Sequence, residues 1–236
     1  MKASKSHLTG LFEKFNALTI LIIGDVMIDS YYWGKVDRIS PEAPVPIVSV
    51  EKKESRLGGA ANVALNIKAM GSTPILCSVI GTDDDGKELI ALTKENGQSV
   101  NGLMQSSTRR TTKKTRIIGN NHQMLRIDGE DLHPLTESEE TSFYEKIHEI
   151  INAQKVDAII YEDYDKGSIT ASLIKKVVSL ANEKAIPTTV DPKKNNFTEY
   201  HHVTLFKPNL KELKEGLKLD FNHKNQEELE DAIKNL

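Results

Sequence analysis

The sequence is poor in several features that would settle its class at once. Among 236 residues there is one cysteine, Cys77, and one tryptophan, and the formal net charge is only -3. A single cysteine excludes an intramolecular disulfide framework. Cys77 stands in the apolar run Pro-Ile-Leu-Cys-Ser-Val-Ile-Gly, where a small buried hydrophobe is expected. With 31 Lys and Arg mixed among 34 Asp and Glu, no broad field draws the chain to nucleic acid or anionic lipid. No apolar run reaches the roughly 20 residues that cross a bilayer. The run Leu-Thr-Ile-Leu-Ile-Ile-Gly near the start carries no cleavage-site pattern. These absences point to a cytoplasmic protein with neither membrane nor nucleic acid as partner. The usual nucleotide loops are missing as well. Gly-Asp-Val-Met-Ile-Asp, after the first apolar run, has one glycine and so no dinucleotide fingerprint. Gly81 to Glu88 nearly spells a phosphate loop, but three aspartates fill it and Glu88 replaces the magnesium-binding hydroxyl. Asp83 or Asp84 as a helix N-cap is the better account.

What is present is an alternation. Short runs rich in β-branched residues (18–25, 73–81, 156–163, 186–191 and 203–208) predict strands covered on both faces. Between them, 59–70, 84–96, 136–152 and 168–184 have helical spacing, and Thr136 with Glu139 predicts a capping box. The β-α-β-α order predicts a doubly wound, mostly parallel α/β sheet in one domain over 1–236. Two segments, about 31–56 and 108–130, break the rhythm with prolines and alternating patterns, and the second reads as two strands around Gly-Asn-Asn-His. They predict a small β lid over the carboxyl ends of the main strands, where open α/β sheets bind ligands.

Those strand ends are acidic: Asp25 and Asp29, then Glu162, Asp163 and Asp165, then Asp191 followed by Lys193 and Lys194. Carboxylates gathered at one edge suit a polyhydroxylated ligand, whose hydroxyls they can accept. Gly58 and Gly59 open a helix, leaving amides for an anion or a polar oxygen, with Asn62 on the first turn; close packing of helix on strand explains the glycines equally well. Arg-Arg-Thr-Thr-Lys-Lys-Thr-Arg (109–116) is either a solvated strand or a lid supplying cations to a phosphorylated ligand, with Arg126 beside it. Asn209 and Glu212 share a first helical turn and could order a hydrated magnesium and nucleotide phosphates. His201 and His202 are adjacent and so diverge, and no third partner has metal-ligand spacing.

Taken in order, Ile-Ile-Gly-Asp-Val-Met-Ile-Asp, Arg-Ile-Ser-Pro-Glu-Ala-Pro-Val-Pro-Ile-Val-Ser-Val, Arg-Leu-Gly-Gly-Ala-Ala-Asn-Val-Ala, Tyr-Glu-Asp-Tyr-Asp-Lys-Gly, Asp-Pro-Lys and Phe-Lys-Pro-Asn-Leu-Lys-Glu resemble the motifs of ribokinase-like carbohydrate kinases. Within that family the chain is most similar to heptose-7-phosphate kinases, from about Leu18 onward. The resemblance implies transfer of the ATP γ-phosphate to the anomeric hydroxyl of D-glycero-β-D-manno-heptose 7-phosphate, with Mg2+, on the way to ADP-heptose and the lipopolysaccharide core. It implies that Asp29, Gly58, Gly59 and Asn62 meet the sugar. It further implies that Asp163, Lys166, Asp191 and Lys193 line the sugar-phosphate pocket and that Arg116 and Arg126 meet the phosphate. Asn209, Leu210, Lys211 and Glu212 would serve the nucleotide, Glu212 reaching the metal through water. A homodimer through the lid strands is expected on the same ground. The family's general base, an aspartate in a Gly-Ala-Gly-Asp motif, has no counterpart in these residues. The expectation is therefore an N-terminal portion of the kinase domain, with the base beyond Leu236 and no activity alone. Another ribokinase-like sugar kinase, or a non-catalytic sugar-phosphate binding module, is the alternative.

Overall fold

The computed structural model describes residues 5–222 and 225–234. In chain order the elements are α1 (Lys5–Phe15), β1 (Thr19–Gly24), β2 (Val26–Ile39), β3 (Pro46–Gly59), α2 (Ala60–Ala69), β4 (Thr73–Gly81), α3 (Asp84–Glu95), β5 (Leu103–Ser106), β6 (Lys113–Gly119), β7 (His122–Gly129), α4 (Glu137–Ala153), β8 (Ala158–Glu162), α5 (Ala171–Glu183), β9 (Thr188–Asp191), β10 (Leu205–Phe206), α6 (Leu210–Leu217) and α7 (Gln226–Lys234). All five predicted strands form, 73–81 with its bounds unchanged and the other four shortened. β5 and α1 are additions that no pattern announced.

Six strands build a parallel sheet in the order β10-β9-β8-β1-β4-β5. The order reverses between β1 and β8, and such a switch point leaves a crevice at the carboxyl ends of the strands. The apolar runs are explained by burial on both faces. Leu21 and Ile23 of β1 join one core with Phe143 and Ile147 of α4 and Leu173 and Val177 of α5. Ile20 and Ile22 join the other with Ala60, Ala61 and Ala64 of α2 and Leu89 of α3. Helix starts follow their sequence signals: Thr136 and Glu139 close a capping box, and Asp83 caps α3 by accepting from the Gly86 amide at 2.8 Å. The near-phosphate loop is thus a helix cap.

The lid is a second sheet of four strands, β3-β2-β6-β7, with β2 and β6 parallel and the other pairs antiparallel. It is longer than the sequence suggested, because β2 begins at Val26 and β3 runs to Gly59. Asn120 and Asn121 both have positive φ, 51° and 64°, as the tight turn between β6 and β7 requires. The base of the lid is bolted to α3, where the Lys113 ammonium meets Asp85 at 2.7 Å and Glu88 at 2.8 Å.

Candidate active site between the lid and the strand ends

Asp29 lies on β2, where the pleat turns it to the same face as Arg116 of β6. Its Oδ1 accepts from Arg116 Nη1 at 2.6 Å. Its Oδ2 rests over Gly58, on which a Cβ would lie only 2.4 Å away. The neighbouring Gly59 has φ 59°, and a Cβ there would meet the Asp25 carbonyl oxygen at 2.4 Å. Both glycines are therefore demanded by packing, and what packs on the first is the carboxylate expected to grip sugar. No side chain caps α2, and Asn62 is exposed on its first turn. The Arg116 guanidinium also lies over the Tyr31 ring, 5.2 Å from its centre, as does that of Arg56. Arg126 does not reach Asp29. It makes a two-pronged pair with Asp128 at 2.8 and 2.9 Å.

The basic stretch at 109–116 thus divides into separate tasks. Arg109 is buried and donates to the carbonyls of His133 and Lys166, Arg110 pairs with Asp131, Lys113 holds α3, and Arg116 holds Asp29.

Below the lid, the strand ends use their carboxylates differently. Asp25 is 1% exposed and accepts three backbone amides, from Tyr164 at 2.9 Å, Lys166 at 3.1 Å and Ser168 at 3.2 Å. It bridges the reversal between β1 and β8. Asp163 was expected to line the sugar-phosphate pocket. The structure places it inside instead, 2% exposed, with one oxygen accepting from Tyr200 and Asn196 at 2.9 Å each and the other from the Asp165 amide. Burial pushes its pKa up to about 6. Lys166 reaches back to the lid, pairing with Glu130 at 2.9 Å.

On the far side, Glu162 and Asp191 are opposite each other at the ends of β8 and β9. Burial, then the neighbouring Asp191 charge, raises Glu162 to about 7. Tyr164 feels both charges, and its phenol is pushed up to about 12 by burial and then by Glu162 and Asp191. The Lys193 ammonium lies 5.8 Å from the centre of that ring and also bonds Glu212 Oε1. Asp191 pairs with Lys207 at 3.4 Å. Asn209 and Glu212 close on each other. The Asn209 side chain accepts from the Glu212 amide at 2.9 Å, and the Glu212 carboxylate accepts from the Asn209 amide at 2.8 Å. The spacing that suggested a ligand pair is a capping box for α6. Burial tends to raise Glu212, but the Asn209 amide and Lys193 outweigh it and hold the carboxylate below its usual range. Leu210 and Lys211 are exposed, and Lys211 pairs only with Glu215 along α6.

The structure thus joins Asp29, Gly58 and Arg116 in one contact set, and Lys193 with Glu212 and Asn209 in another. Tyr164, to which the sequence assigned no role, stands beside the second. Among the described residues no group of three or more His, Cys, Asp or Glu could hold a metal. Magnesium does not require one, since it keeps several waters and takes one or two carboxylates beside substrate phosphates. Glu212 has lone pairs left for such an outer contact.

Residues 17–236 match the model of the pfkB family carbohydrate kinases. The chain is 39% identical over 208 residues to the bifunctional protein HldE of Pelobacter propionicus, covering 88% of this chain and 42% of that protein. It is 41% identical over 200 residues to the bifunctional protein HldE of Helicobacter pylori strain J99, covering 85% and 43%. It therefore spans less than half the length of these relatives. Among solved structures, the tetrameric inhibited form of phosphofructokinase-2 from Escherichia coli superposes with a TM-score of 0.69 at 15% identity, over 92% of this chain and 69% of that one. Arabidopsis thaliana ribokinase, complexed with ribose and ATP, gives a TM-score of 0.62 at 14% identity, over 92% and 68%. The fold is ribokinase-like.

Proposed function

The chain belongs to the pfkB family of carbohydrate kinases, and from that premise we propose that it takes D-glycero-β-D-manno-heptose 7-phosphate between lid and strand ends. The reaction is transfer of the ATP γ-phosphate to the anomeric hydroxyl. The sugar oxygen bonds to the γ-phosphorus, its proton passes to a general base that these residues do not supply, the bond to the bridging oxygen breaks, and ADP and the 1,7-bisphosphate leave. Such transfer depends on placement and charge neutralisation rather than on covalent chemistry with the protein. The carrying observation is Asp29, a carboxylate seated on a bare glycine and facing a guanidinium. It accepts sugar hydroxyls while the arginines of the lid face the phosphate. Lys193 and Glu212 serve the nucleotide side. With ATP bound, Mg2+ would neutralise the phosphates, held mainly by them and through water by Glu212. The 39–41% identity to proteins named HldE supports heptose over other sugars.

Calorimetry tests the proposal. Heptose 7-phosphate is expected to bind more tightly than the unphosphorylated heptose and to be detected more readily than ATP. Asp29→Ala is expected to weaken it roughly ten- to a hundredfold, the worth of a charge-assisted hydrogen bond. Absence of binding, or equal binding of fructose 6-phosphate, would sink the heptose assignment. Closure of Asn209 and Glu212 on each other favours a second reading, a sugar-phosphate binding module without transfer. ADP release in the presence of heptose 7-phosphate, above a control without protein, would rule that reading out and with it the expectation that these residues alone are inactive.

A homodimer through the lid also belongs to this proposal. The lid face turned away from Asp29 exposes Leu125 (57%) and Ile127 (54%), and a second copy of the chain is the expected cover.

A further inference from the structure

We propose that Lys114, rather than Arg116 or Arg126 alone, is the lid cation that receives the substrate's phosphate. The inference rests on the sugar-phosphate reading above. It begins with register. Asp29 is opposite Arg56 on β3 and Lys114 on β6, and Lys114 is opposite Asp128 on β7. Opposed residues share a face of the sheet, so these four form a row of alternating charge, Arg56, Asp29, Lys114, Asp128. Two residues further along the strands, Tyr31, Arg116 and Arg126 form the next row.

The second row takes the carboxylates of the first. Arg116 bonds Asp29 Oδ1 at 2.6 Å, and Arg126 bonds both oxygens of Asp128 at 2.8 and 2.9 Å. Arg56 turns to Glu54 at 2.6 Å. A planar guanidinium matches a carboxylate better than an ammonium does, so the arginines win these partners. Lys114 is left between two acids already neutralised by others. It is half-buried, its side chain has no hydrogen bond or ion pair among the described residues, and its charge reaches Asp128 only through space. Among the described residues every other lysine that is not fully exposed has one: Lys113, Lys166, Lys193 and Lys214 bond carboxylates, and Lys146 bonds the Asn101 carbonyl.

The ammonium has no hydrogen-bond partner among the described residues, so its donors are open to solvent and to an arriving dianionic group. Lys114 stands on the face of Asp29, so a sugar held by Asp29 brings its phosphate to this row. Arg116 and Arg126 already commit part of their donors to a carboxylate, whereas the Lys114 ammonium has no hydrogen-bonded acid among the described residues.

The test compares Lys114→Gln and Lys114→Arg with the unaltered chain, titrated with heptose 7-phosphate and with the unphosphorylated heptose. Lys114→Gln is expected to weaken the phosphorylated sugar roughly ten- to a hundredfold, leave the unphosphorylated sugar unchanged, and keep the thermal midpoint, since Asp128 stays held by Arg126. Lys114→Arg is expected to restore most of the loss. The salt dependence of heptose 7-phosphate binding is expected to flatten in Lys114→Gln. An unchanged affinity in Lys114→Gln, or an equal loss for both sugars, overturns the assignment while the sugar-phosphate reading stands. If the unaltered chain binds no sugar phosphate, both fall together.

Discussion

The lid and the floor beneath it use the same residue types to opposite ends. On the lid, Asp29, Asp128 and Glu54 pair with arginine side chains across or along strands, at sites that solvent reaches. On the floor, Asp25, Asp163 and Glu212 are buried and accept from backbone amides, a phenol and an asparagine. An exposed ion pair is worth about 0–1 kcal/mol and exchanges partners readily. A buried carboxylate that satisfies several amides costs far more to remove, because those amides lose their acceptor inside the protein. The difference teaches that the acids form two populations, one paired on the lid where solvent reaches and one committed to architecture.

The contrast breaks most visibly at Asp25. Asp25→Ala is expected to cost about 3–5 kcal/mol, lowering the thermal midpoint by roughly 10 °C, while Asp128→Ala stays within about 2 °C. Equal midpoints by differential scanning calorimetry would remove the distinction. The other face of the lid gives an intermediate effect. Leu125→Glu is expected to shift a dimer to monomer in sedimentation velocity with little change in the midpoint of the monomer; a monomeric unaltered chain would overturn the lid dimer.

The smallest effect sharpens the floor's side through pH. Glu162 titrates at about 7 in the folded chain against an ordinary 4.5. Between those values the folded state keeps a proton that the unfolded chain has lost, so this group makes stability fall as pH rises through that window. Glu162→Gln removes the penalty. It is expected to raise the midpoint by about 2–4 °C at pH 8, corresponding to about 1 kcal/mol after allowance for solvent screening, and to change it little at pH 4.5. A gain of equal size at both pH values would mean that the charge is not its cause.

Much of the fold was legible in the chain. β1, β4, β8 and β9 are covered on both faces, so their residues are continuously apolar and stand out. Thr136, Asp83 and the Asn120-Asn121 turn were legible because a cap or tight turn involves only a few consecutive residues. β5, four residues long at the edge of the sheet, gave no comparable signal. The start of β2 was hidden because Val26 to Ile28 continue the apolar run of β1. The break between them follows from Asp25 bonding a loop more than a hundred residues away.

The site divides along the same line. By itself the sequence determined that acids end the strands, that cations cluster on one insert, and that two adjacent glycines open α2, since composition and local spacing suffice for these. Only the tertiary structure decided that Asp163 faces inward, that Asn209 and Glu212 cap α6, that Gly58 makes room for Asp29, and that Lys114 stands in one row with Asp29 and Asp128. Each of these depends on which side chain the pleat and the strand register bring opposite another, and a one-residue slip in that register would reassign every pair.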